Sequence, residues 1–514
     1  MNKAQIAESR SDQLVLTTKV GLVVIVFAAI LLLTLNLTST PEPWFDEGVH
    51  VNAAATLAKT GKYALPDATG LKVLDPGIQV GPTVILPVAL SFKLFGQGYW
   101  QARGIIVLYG FLALAAYLLV ARKVAGIETG LLALALLLAG NGVESSSFVL
   151  LSRQVVGEVP ALGFLLLGLW CWFKGVETPG KGWLSRSNLF YLTAGLFFGL
   201  SIVTKLQVLL IFVPVWGLLF LADRFYYRQA SWKAFILPGL VAVLSYGVWY
   251  GLQTMLADPE TARQNAEFLR QSFTNRIVGF NPTHIREALG SLWRNGFLLW
   301  GLPGFLYGLY LTFQRDRLSL YRAGLVLFSG VWLVWFVGFS VGWPRYSFIG
   351  LALLPIWSAK LVVDFTTGKL LPSRSKWQIY LVGIIFSAWL AFGATATLGD
   401  IFNPPPNYLT QFATYLKENV PQAAVVANWE WELDLAAPQN FLHPSTSTLN
   451  EFISAKSDYR PFTYRYIPGS ITPEYVVDGL FSNWSAIYLP YLQEHGEKMV
   501  QIGPYALYKV VNNK

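Results

Sequence analysis

The amino-acid sequence predicts a mainly α-helical, polytopic membrane protein that carries a small C-terminal domain of the α/β class outside the membrane. Three observations predict this fold class. Hydrophobic residues make up 54% of the 514 residues and charged residues 13%, about half the charged fraction of a soluble domain. Long apolar segments follow one another along most of the chain. After Asn403-Pro404-Pro405-Pro406, a stiff linker, the composition changes to that of a soluble domain.

The apolar segments predict about eleven transmembrane helices, because the hydrocarbon core of a bilayer takes about 20 residues of helix to cross. Together they form a predicted transmembrane module of residues 1–398. The predicted spans are 20–37, 103–120, 126–142, 157–173, 189–203, 206–221, 234–252, 296–313, 325–341, 346–363 and 380–396.

Positive charge between the spans predicts their orientation, since cytoplasmic loops carry an excess of Lys and Arg. Lys3, Arg10 and Lys19 precede the first span and indicate a cytoplasmic N-terminus. That span is too long for the core of a signal peptide and lacks a convincing cleavage site, so we interpret it as a membrane helix, with the C-terminus outside. The other predicted cytoplasmic basic residues are Arg122, Lys123, Lys174, Lys181, Arg186, Arg224, Arg228, Lys233, Arg315, Arg317, Arg322, Lys369, Arg374 and Lys376.

The first extracytoplasmic loop, residues 38–102, is long enough to have structure of its own. His50, Ala54, Leu57 and Ala58 recur at helical spacing and Gly61 follows them, which predicts a short surface helix with a glycine C-cap. The apolar stretch 81–95 is too short to span a bilayer, so we expect it to lie in the outer interface.

The C-terminal segment, residues 399–514, is predicted to fold as a separate soluble domain. Short apolar runs at 423–427, 486–492 and 506–511 predict strands, and 409–419 predicts a helix. About a hundred residues are enough to bury a core.

Composition and motifs exclude several functional classes. The net charge of +9 lies in the basic loops between apolar segments, so it does not indicate a nucleic-acid partner. The single cysteine, Cys171, excludes an internal disulfide and any site with several cysteine ligands. The sequence has no glycine-rich phosphate loop, which argues against a nucleotide-driven pump.

Asp46 and Glu47 follow the first span directly and stand among apolar and aromatic residues. One interpretation is a solvated helix N-terminus, where the helix dipole favours acids. The other is a catalytic pair, in which one carboxylate acts as a base while the other hydrogen-bonds or binds a cation.

Further ionisable residues fall at the outer ends of the predicted spans, where charge is a functional hypothesis by default. Lys205 lies in a very short turn between two spans, and its alternative is to extend to the lipid headgroups. Arg345 stands against the positive-inside trend and needs an anionic partner, for which a phosphate fits. The set also includes His50, Arg153 and Glu158.

An ordered series of short motifs on this outer side resembles the GT-C superfamily of membrane glycosyltransferases. The order is similar to that of the protein O-mannosyltransferase and lipid A aminoarabinose transferase branch, over about the first 360 residues. The chain departs from those families at Gly81-Pro82-Thr83, where they carry a Lys/His-Pro-Pro element. The motifs are Phe45-Asp46-Glu47 with His50, Gly81-Pro82, Arg103, Glu158, Thr204-Lys205 and Arg345-Tyr346.

The resemblance implies a sugar donor on a polyprenyl phosphate or diphosphate, with Asp46 as the catalytic base and Arg103 added to the donor site. The chemistry fits, because Asp46 could take the proton of an acceptor hydroxyl while Lys205 and Arg345 stabilise the leaving phosphate. A single attack of this kind inverts the anomeric carbon.

Glu47 or Glu158 could instead orient the acceptor or hold a divalent cation through oxygen ligands. His50, Arg153 and Tyr346 are further candidate contacts for the substrate or acceptor, which could be a lipid, a protein or a glycan. We expect the protein in the plasma (inner) membrane, in contact with its lipids.

Two other functions remain open from the sequence. A secondary transporter or lipid-handling protein would place its charges near the bilayer midplane, whereas here they lie at the outer ends of the spans. A degenerate transferase kept as a scaffold is the other alternative, against which the intact Asp46-Glu47 pair argues.

Overall fold

The computed structural model describes residues 3–511 with short gaps. The gaps are 69, 141–145, 181, 183–184, 273–278, 374, 446–447, 449–450, 453–454, 456–465 and 467–470. The predicted cytoplasmic residues Lys181 and Arg374, and the end of the predicted span 126–142, lie outside the described residues.

Helices make up most of the described chain. The first part contains α1 (Lys3–Thr34), α2 (Phe45–Thr60), α3 (Pro82–Phe95), α4 (Tyr99–Ala125), α5 (Ile127–Ala139), α6 (Phe148–Leu151), α7 (Glu158–Glu177), α8 (Arg186–Thr204), α9 (Gln207–Ala222) and α10 (Lys233–Leu256). The second part contains α11 (Pro259–Ser272), α12 (Pro282–Arg294), α13 (Leu302–Thr312), α14 (Ser319–Gly338), α15 (Phe348–Ala352), α16 (Leu354–Thr367) and α17 (Lys376–Phe402).

Each of the predicted spans coincides with an apolar helix, so the polytopic fold class is confirmed. Among the described residues, seven helices are long and apolar enough to cross a membrane, or eight if a pair bent by 43° between α15 and α16 forms one span. The apolar helices Thr18–Thr34, Ile127–Ala139 and Phe297–Thr312 are shorter. A helix rises about 1.5 Å per residue, so Ile127–Ala139 and Phe297–Thr312 fall short of a bilayer core of about 30 Å, whereas Thr18–Thr34 is the end of the longer helix α1. The count of eleven stays a prediction.

The centre of the bundle is helix α7, which packs closely on α8. A Cβ at Gly168 would overlap the ring of Phe198, so glycine lets the two helices approach. Trp172 is fully buried, and its Nε1 donates to the carbonyl of Ala234, 2.8 Å away. The indole hydrogen bond and the close packing hold α7, whose first residue is Glu158, in a fixed position.

Helix α2 is the helix predicted around His50, and Gly61 caps it in the left-handed conformation as expected. The expectation that it lies on the surface is wrong. Its residues from Glu47 to Thr56 are buried, because the C-terminal domain covers the face that solvent would otherwise reach.

The predicted soluble domain contains a helix, α18 (Tyr408–Asn419), and a five-stranded mixed sheet. The strands are β3 (Val425–Ala427), β4 (Asn440–Leu442), β5 (Tyr475–Asp478), β6 (Gly496–Ile502) and β7 (Tyr505–Val510), after a hairpin of β1 (Ala64–Asp67) and β2 (Gly70–Val73) in the first loop. The order in the sheet is β4-β3-β5-β7-β6, with β3 parallel to β4 and β5 and the other pairs antiparallel.

Two of the three predicted strands are present in this domain, at β3 and β7. The strand predicted at 486–492 is absent. That stretch instead follows a short helix, α20 (Leu480–Ser485), and enters the helix α21 (Leu489–His495). Another short helix, α19 (Leu433–Ala436), lies earlier in the domain. A short apolar run does not distinguish a buried strand from a buried helical turn, and Pro490 at the start of α21 favours the helix.

The C-terminal domain docks directly on α2. The side-chain amide of Asn52 donates to the carbonyl of Trp431 at 2.8 Å, and the Phe45 ring stacks on Phe481 with centroids 3.6 Å apart. A Cβ at Gly48 would overlap the backbone of Trp431 and Glu432, so only glycine permits this approach. The domain therefore sets the position of the helix that begins at Phe45.

Candidate functional site

Four ionisable side chains from distant parts of the chain converge at one end of the bundle. Asp46 lies in the first turn of α2, and Glu158 is the first residue of α7. Lys205 follows the last residue of α8, and Arg345 lies in the short 3-10 helix Pro344–Ser347. We call this set the polar cluster. It contains the candidate base and two of the three cations, Lys205 and Arg345, that the sequence analysis assigned to the donor phosphate.

Ion pairs connect the members of the polar cluster. Nζ of Lys205 lies 2.6 Å from Oε1 of Glu158, and Nε of Arg345 lies 4.0 Å from the same oxygen. The Arg345 guanidinium also pairs with the Asp46 carboxylate. The Asp46 side chain is 19% exposed, whereas those of Glu158, Lys205 and Arg345 are 7% exposed or less. The alternatives of a solvated Asp46-Glu47 pair and of a Lys205 that reaches the headgroups do not hold.

Aromatic rings surround the cations. The Arg345 guanidinium carbon lies 5.1 Å from the centre of the Trp44 ring and 5.6 Å from that of Tyr346. Nζ of Lys205 lies 5.9 Å from the centre of the Tyr346 ring. Aromatic faces attract cations and exclude water, so they strengthen electrostatic interactions inside the cluster. Tyr346, predicted as a substrate contact, thus lies beside both cations.

The Gly81-Pro82 element holds the turn that presents Lys205. The backbone N–H of Gly81 donates to the carbonyl of Thr204 at 3.1 Å, and the hydroxyls of Thr83 and Thr204 are 2.7 Å apart. A Cβ at Gly81 would overlap the carbonyl of Val203. In place of the Lys/His-Pro-Pro pattern, this chain therefore has a glycine, Gly81, that packs against the turn before Lys205.

Glu47 points away from the polar cluster and pairs with Arg103. Nε and Nη2 of Arg103 donate to the two carboxylate oxygens at 2.8 and 2.6 Å, and both side chains are 0% exposed. Nη1 donates to the carbonyls of Leu37 and Pro41. Four of the five N–H donors of Arg103 therefore already have protein acceptors. Arg103 was predicted to bind the donor phosphate, but it lies outside the polar cluster.

Arg153 also lies outside the polar cluster. Its guanidinium donates to the carbonyls of Thr40, Leu32 and Leu35 at 2.5 to 2.7 Å, which ties it to the end of α1 and the segment after it. Arg103 and Arg153 together hold the segment that leads from α1 into α2. Their placement is that of structural anchors for the Asp46 helix.

His50 lies one helical turn after Asp46 and is 2% exposed. Its Nδ1 lies 2.7 Å from the carbonyl oxygen of Val155. Burial lowers the pKa of His50 to about 4, against the opposing charge of Asp46 and in the same direction as the charges of Lys205 and Arg345. The imidazole is therefore neutral at neutral pH.

An apolar cavity of about 220 Å³ adjoins the polar cluster. Gln207, Trp335 and Tyr346 line both this cavity and a small space among Glu158, Lys205 and Arg345. The rest of its wall comes from the first loop, the end of α8, α10 and α11, and includes Tyr63, Ile78, Val80, Tyr246, Trp249 and Tyr250.

The residues proposed for a divalent cation do not suit one. Arg103 occupies both oxygens of Glu47, and Glu158 lies between two cations. Among the described residues, no three His, Cys, Asp or Glu side chains converge on a common point.

Sequence reasoning missed three residues beside the cluster. Trp44 contacts Arg345, and its Nε1 donates to Oε1 of Gln154 at 2.7 Å. Gln207 and Trp335 line the space where the cavity meets the cations. Trp44 had a usable signal, because it lies two residues before Asp46, whereas Gln207 and Trp335 look like ordinary residues of apolar helices.

No protein-family model matches the chain, and no curated protein matches its sequence. Solved structures do match it. The crystal structure of ArnT from Cupriavidus metallidurans bound to undecaprenyl phosphate superposes with a TM-score of 0.66 at 14% identity, over 96% of this chain and 98% of that one.

A second similar structure is the archaeal oligosaccharyltransferase AglB from Archaeoglobus fulgidus with an inhibitory peptide and a dolichol-phosphate. The TM-score is 0.59 at 12% identity, over 96% of this chain and 74% of that one. An oligosaccharyltransferase of Archaeoglobus fulgidus tethered to an acceptor peptide has a TM-score of 0.54 at 13% identity, over 96% of this chain and 74% of that one.

The likeness extends beyond the first 360 residues that the motif order covered, because 96% coverage takes in most of the C-terminal domain as well. At 12 to 14% identity this likeness concerns the fold. The chain therefore has the fold of GT-C membrane glycosyltransferases along nearly its whole length.

Proposed function

We propose that this protein is a membrane glycosyltransferase that transfers a sugar from a polyprenyl-phosphate donor to an acceptor on the extracytoplasmic side. The observation that carries the proposal is the polar cluster, in which two carboxylates and two cations meet beside an apolar cavity. Such a site suits a ligand with a phosphate at one end and a hydrocarbon chain at the other. The solved structures of ArnT and AglB contain undecaprenyl phosphate and dolichol-phosphate, which supports the choice of donor.

The donor phosphate must compete for cations that already have partners. In the cluster, the charges of Asp46 and Glu158 balance those of Lys205 and Arg345. A phosphate that binds both cations draws Arg345 away from Asp46, because a guanidinium binds phosphate through several charged hydrogen bonds. Donor binding then releases the Asp46 carboxylate at the moment it is needed.

The transfer step follows from this exchange. The acceptor hydroxyl oxygen attacks C1 of the sugar, and its proton passes to the Asp46 carboxylate. The bond between C1 and the phosphate oxygen breaks, and the electron pair leaves with the phosphate. Lys205 and Arg345 stabilise the charge that develops there. One displacement of this kind inverts the configuration at C1.

Positive charge supports the extracytoplasmic placement of the site. Helix α7 begins at Glu158 and has Lys174 in its last turn, whereas α8 begins at Arg186 and ends beside Lys205. Arg122 and Lys123 end α4 in the same way. Because Lys and Arg accumulate on the cytoplasmic side, the opposite end of these helices, with the polar cluster, faces outward.

The test of the activity uses the purified protein in lipid nanodiscs. We expect it to bind undecaprenyl phosphate, and we expect cells without the gene to lack one sugar modification of an envelope lipid, protein or glycan, detected by mass spectrometry. Incubation with the corresponding lipid-linked sugar should then break the sugar–phosphate bond. Transport of an intact solute or lipid by the purified protein, with no broken bond, would favour the transporter instead.

The test of sidedness uses single cysteines and an impermeant thiol reagent on intact cells. The native Cys171 is buried and should stay unlabelled. Gly61→Cys and Lys417→Cys should be labelled from outside, and Gly182→Cys only after the membrane is opened. Labelling of Gly182→Cys in intact cells would place the polar cluster on the cytoplasmic side.

A further inference from the structure

The hydrogen bond of His50 determines which of its two ring nitrogens carries the proton. A backbone carbonyl only accepts hydrogen bonds, so the contact of 2.7 Å between Nδ1 of His50 and the carbonyl oxygen of Val155 requires the proton on Nδ1. In the neutral ring, Nε2 then carries a lone pair and no proton. The adjacent backbone N–H of the same residue, Val155, donates to Oε1 of Glu47 at 3.0 Å, which fixes the carbonyl that selects this tautomer.

The His50 ring lies close to the polar cluster. His50 follows Asp46 by one turn of the same helix, and the charges of Asp46, Lys205 and Arg345 all act on the ring. Within the described part of the chain, Nδ1 makes the only hydrogen bond of this ring. The His50 side chain is 2% exposed, so a ligand that reaches Nε2 and supplies a donor gains a hydrogen bond away from bulk water.

We propose that Nε2 of His50 accepts a hydrogen bond from a substrate hydroxyl next to the reacting atoms, and thereby selects substrates that carry a second hydroxyl beside the point of transfer. This inference rests on the proposed glycosyl transfer. The reacting hydroxyl gives its own proton to Asp46, so His50 needs a different donor. That donor is a neighbouring hydroxyl of either the transferred sugar or a polyhydroxylated acceptor.

A matched pair of substitutions separates this role from a structural one. The side-chain amide of His50→Asn can take the place of Nδ1–H and keep the bond to Val155, but it leaves nothing at the position of Nε2. His50→Gln places its polar group near the position of Nε2 and loses the bond to Val155. The two variants therefore remove opposite halves of the ring's function.

We expect His50→Asn to lower kcat/KM about tenfold or more, the loss that follows from one missing hydrogen bond to substrate. His50→Gln should retain more activity. The reverse order, with His50→Asn active and His50→Gln inactive, would make His50 a structural anchor and overturn the proposal. Equal activity of both variants and the wild type would overturn it as well.

The source of the second hydroxyl follows from which substrate the loss affects. A rise in the KM of the acceptor alone assigns the hydroxyl to the acceptor. A loss of affinity for the sugar donor, with unchanged binding of undecaprenyl phosphate that lacks the sugar, assigns it to the transferred sugar. A loss of affinity for undecaprenyl phosphate itself would mean that His50 acts on the phosphate site, contrary to the proposal.

A measurement that does not depend on turnover keeps the inference separate from the proposed function. The chain has four histidines, so 15N-histidine NMR of the protein in nanodiscs, with His50→Gln for assignment, can resolve His50. We expect the neutral Nδ1–H tautomer at neutral pH. A charged ring or an Nε2–H tautomer would overturn the His50 inference while leaving glycosyl transfer intact. An inactive wild-type protein with the expected tautomer would count against the transferase alone.

Discussion

Asp46 and Glu47 are neighbours in the sequence but occupy two different electrostatic environments. Glu47 pairs with Arg103 through two hydrogen bonds in a place with no exposed surface. Asp46 pairs with Arg345 at the edge of a cavity, and its side chain keeps 19% exposure. The first pair has no room for another ligand, whereas the second can exchange partners. The same ion pair chemistry thus builds a closed scaffold on one face of α2 and a partly exposed ion pair on another.

The largest expected effect separates the two acids by activity. Asp46→Asn keeps the size and polarity of the side chain and removes its basicity, so transfer should fall by about two to four orders of magnitude. The measurement is turnover of a lipid-linked sugar by purified protein, with thermal unfolding to show that the fold is retained. Turnover at the wild-type rate would return Asp46 to the role of a partner for Arg345.

Stability should separate the acids in the opposite sense. Glu47→Gln leaves the buried Arg103 guanidinium without its counter-charge, which we expect to lower the free energy of unfolding by about 3 to 5 kcal/mol. The control is Glu177→Gln, which breaks a pair with Lys123 whose side chains are 31% and 33% exposed and should cost about 1 kcal/mol or less. Equal losses in thermal unfolding would contradict the assignment of Glu47 to the scaffold.

Donor affinity tests whether the second pair exchanges partners. Lys205→Ala and Arg345→Ala each remove a charged contact with phosphate worth about 1.5 to 3 kcal/mol, so binding of undecaprenyl phosphate should weaken about tenfold to a hundredfold. Asp46→Asn should bind it at least as well as the wild type, because Arg345 no longer has to leave a carboxylate. The exposed Lys417→Ala is the control. Weaker binding by Asp46→Asn would argue against partner exchange.

A further buried carboxylate, Glu432, extends the comparison because it has a tyrosine rather than a cation as its partner. The hydroxyl of Tyr505 donates to its Oε1 at 3.1 Å, and Oε2 has no hydrogen bond among the described residues. Burial and the neighbouring Glu430 raise the pKa of Glu432 well above its ordinary value. The folded protein therefore holds this proton more tightly than the unfolded chain.

The sign of the resulting pH dependence follows from that difference. The contribution to stability is greatest below the pKa of the unfolded carboxyl and is lost as the pH rises toward the folded-state pKa. Glu432→Gln, which resembles the protonated acid, should stabilise the protein at pH 7 to 8 on the order of 1 kcal/mol and flatten the profile of unfolding against pH. The exposed Glu418→Gln should leave the profile unchanged. A steeper fall in the Glu432→Gln variant would contradict a neutral Glu432.

The sequence predicted the members of the polar cluster but not their pairing. Asp46, Lys205 and Arg345 could be found because a charge stands out in an apolar segment. Nothing local indicated that Arg103 would meet Glu47, 56 residues away, rather than a phosphate, since a pairing partner is a property of the packed bundle. The membrane helices could be predicted for the same reason as the charges, because their apolar runs are long.

The C-terminal domain was harder to predict from its sequence. A short apolar run such as 486–492 fits a buried strand and a buried helical turn equally well, so composition could not decide between the two structures. The buried state of α2 also depends on a contact that only the folded chain makes. Trp429-Glu430-Trp431-Glu432, which alternates rings and acids, was an unusual stretch, and it is the segment that covers Gly48.

The contact at Gly48 imposes an order on biosynthesis. Asn52 and its partner Trp431 are 379 residues apart in the chain. At about 5 to 20 residues per second, the helix that carries Asp46 waits on the order of 20 to 80 s before the segment that covers it has been made. During that interval the first loop has already left the ribosome, whereas the segment around Trp431 that will cover it has not yet been made. A chain that stops before Trp431 would leave α2 uncovered, so Asp46 takes up its final position only when synthesis is almost complete.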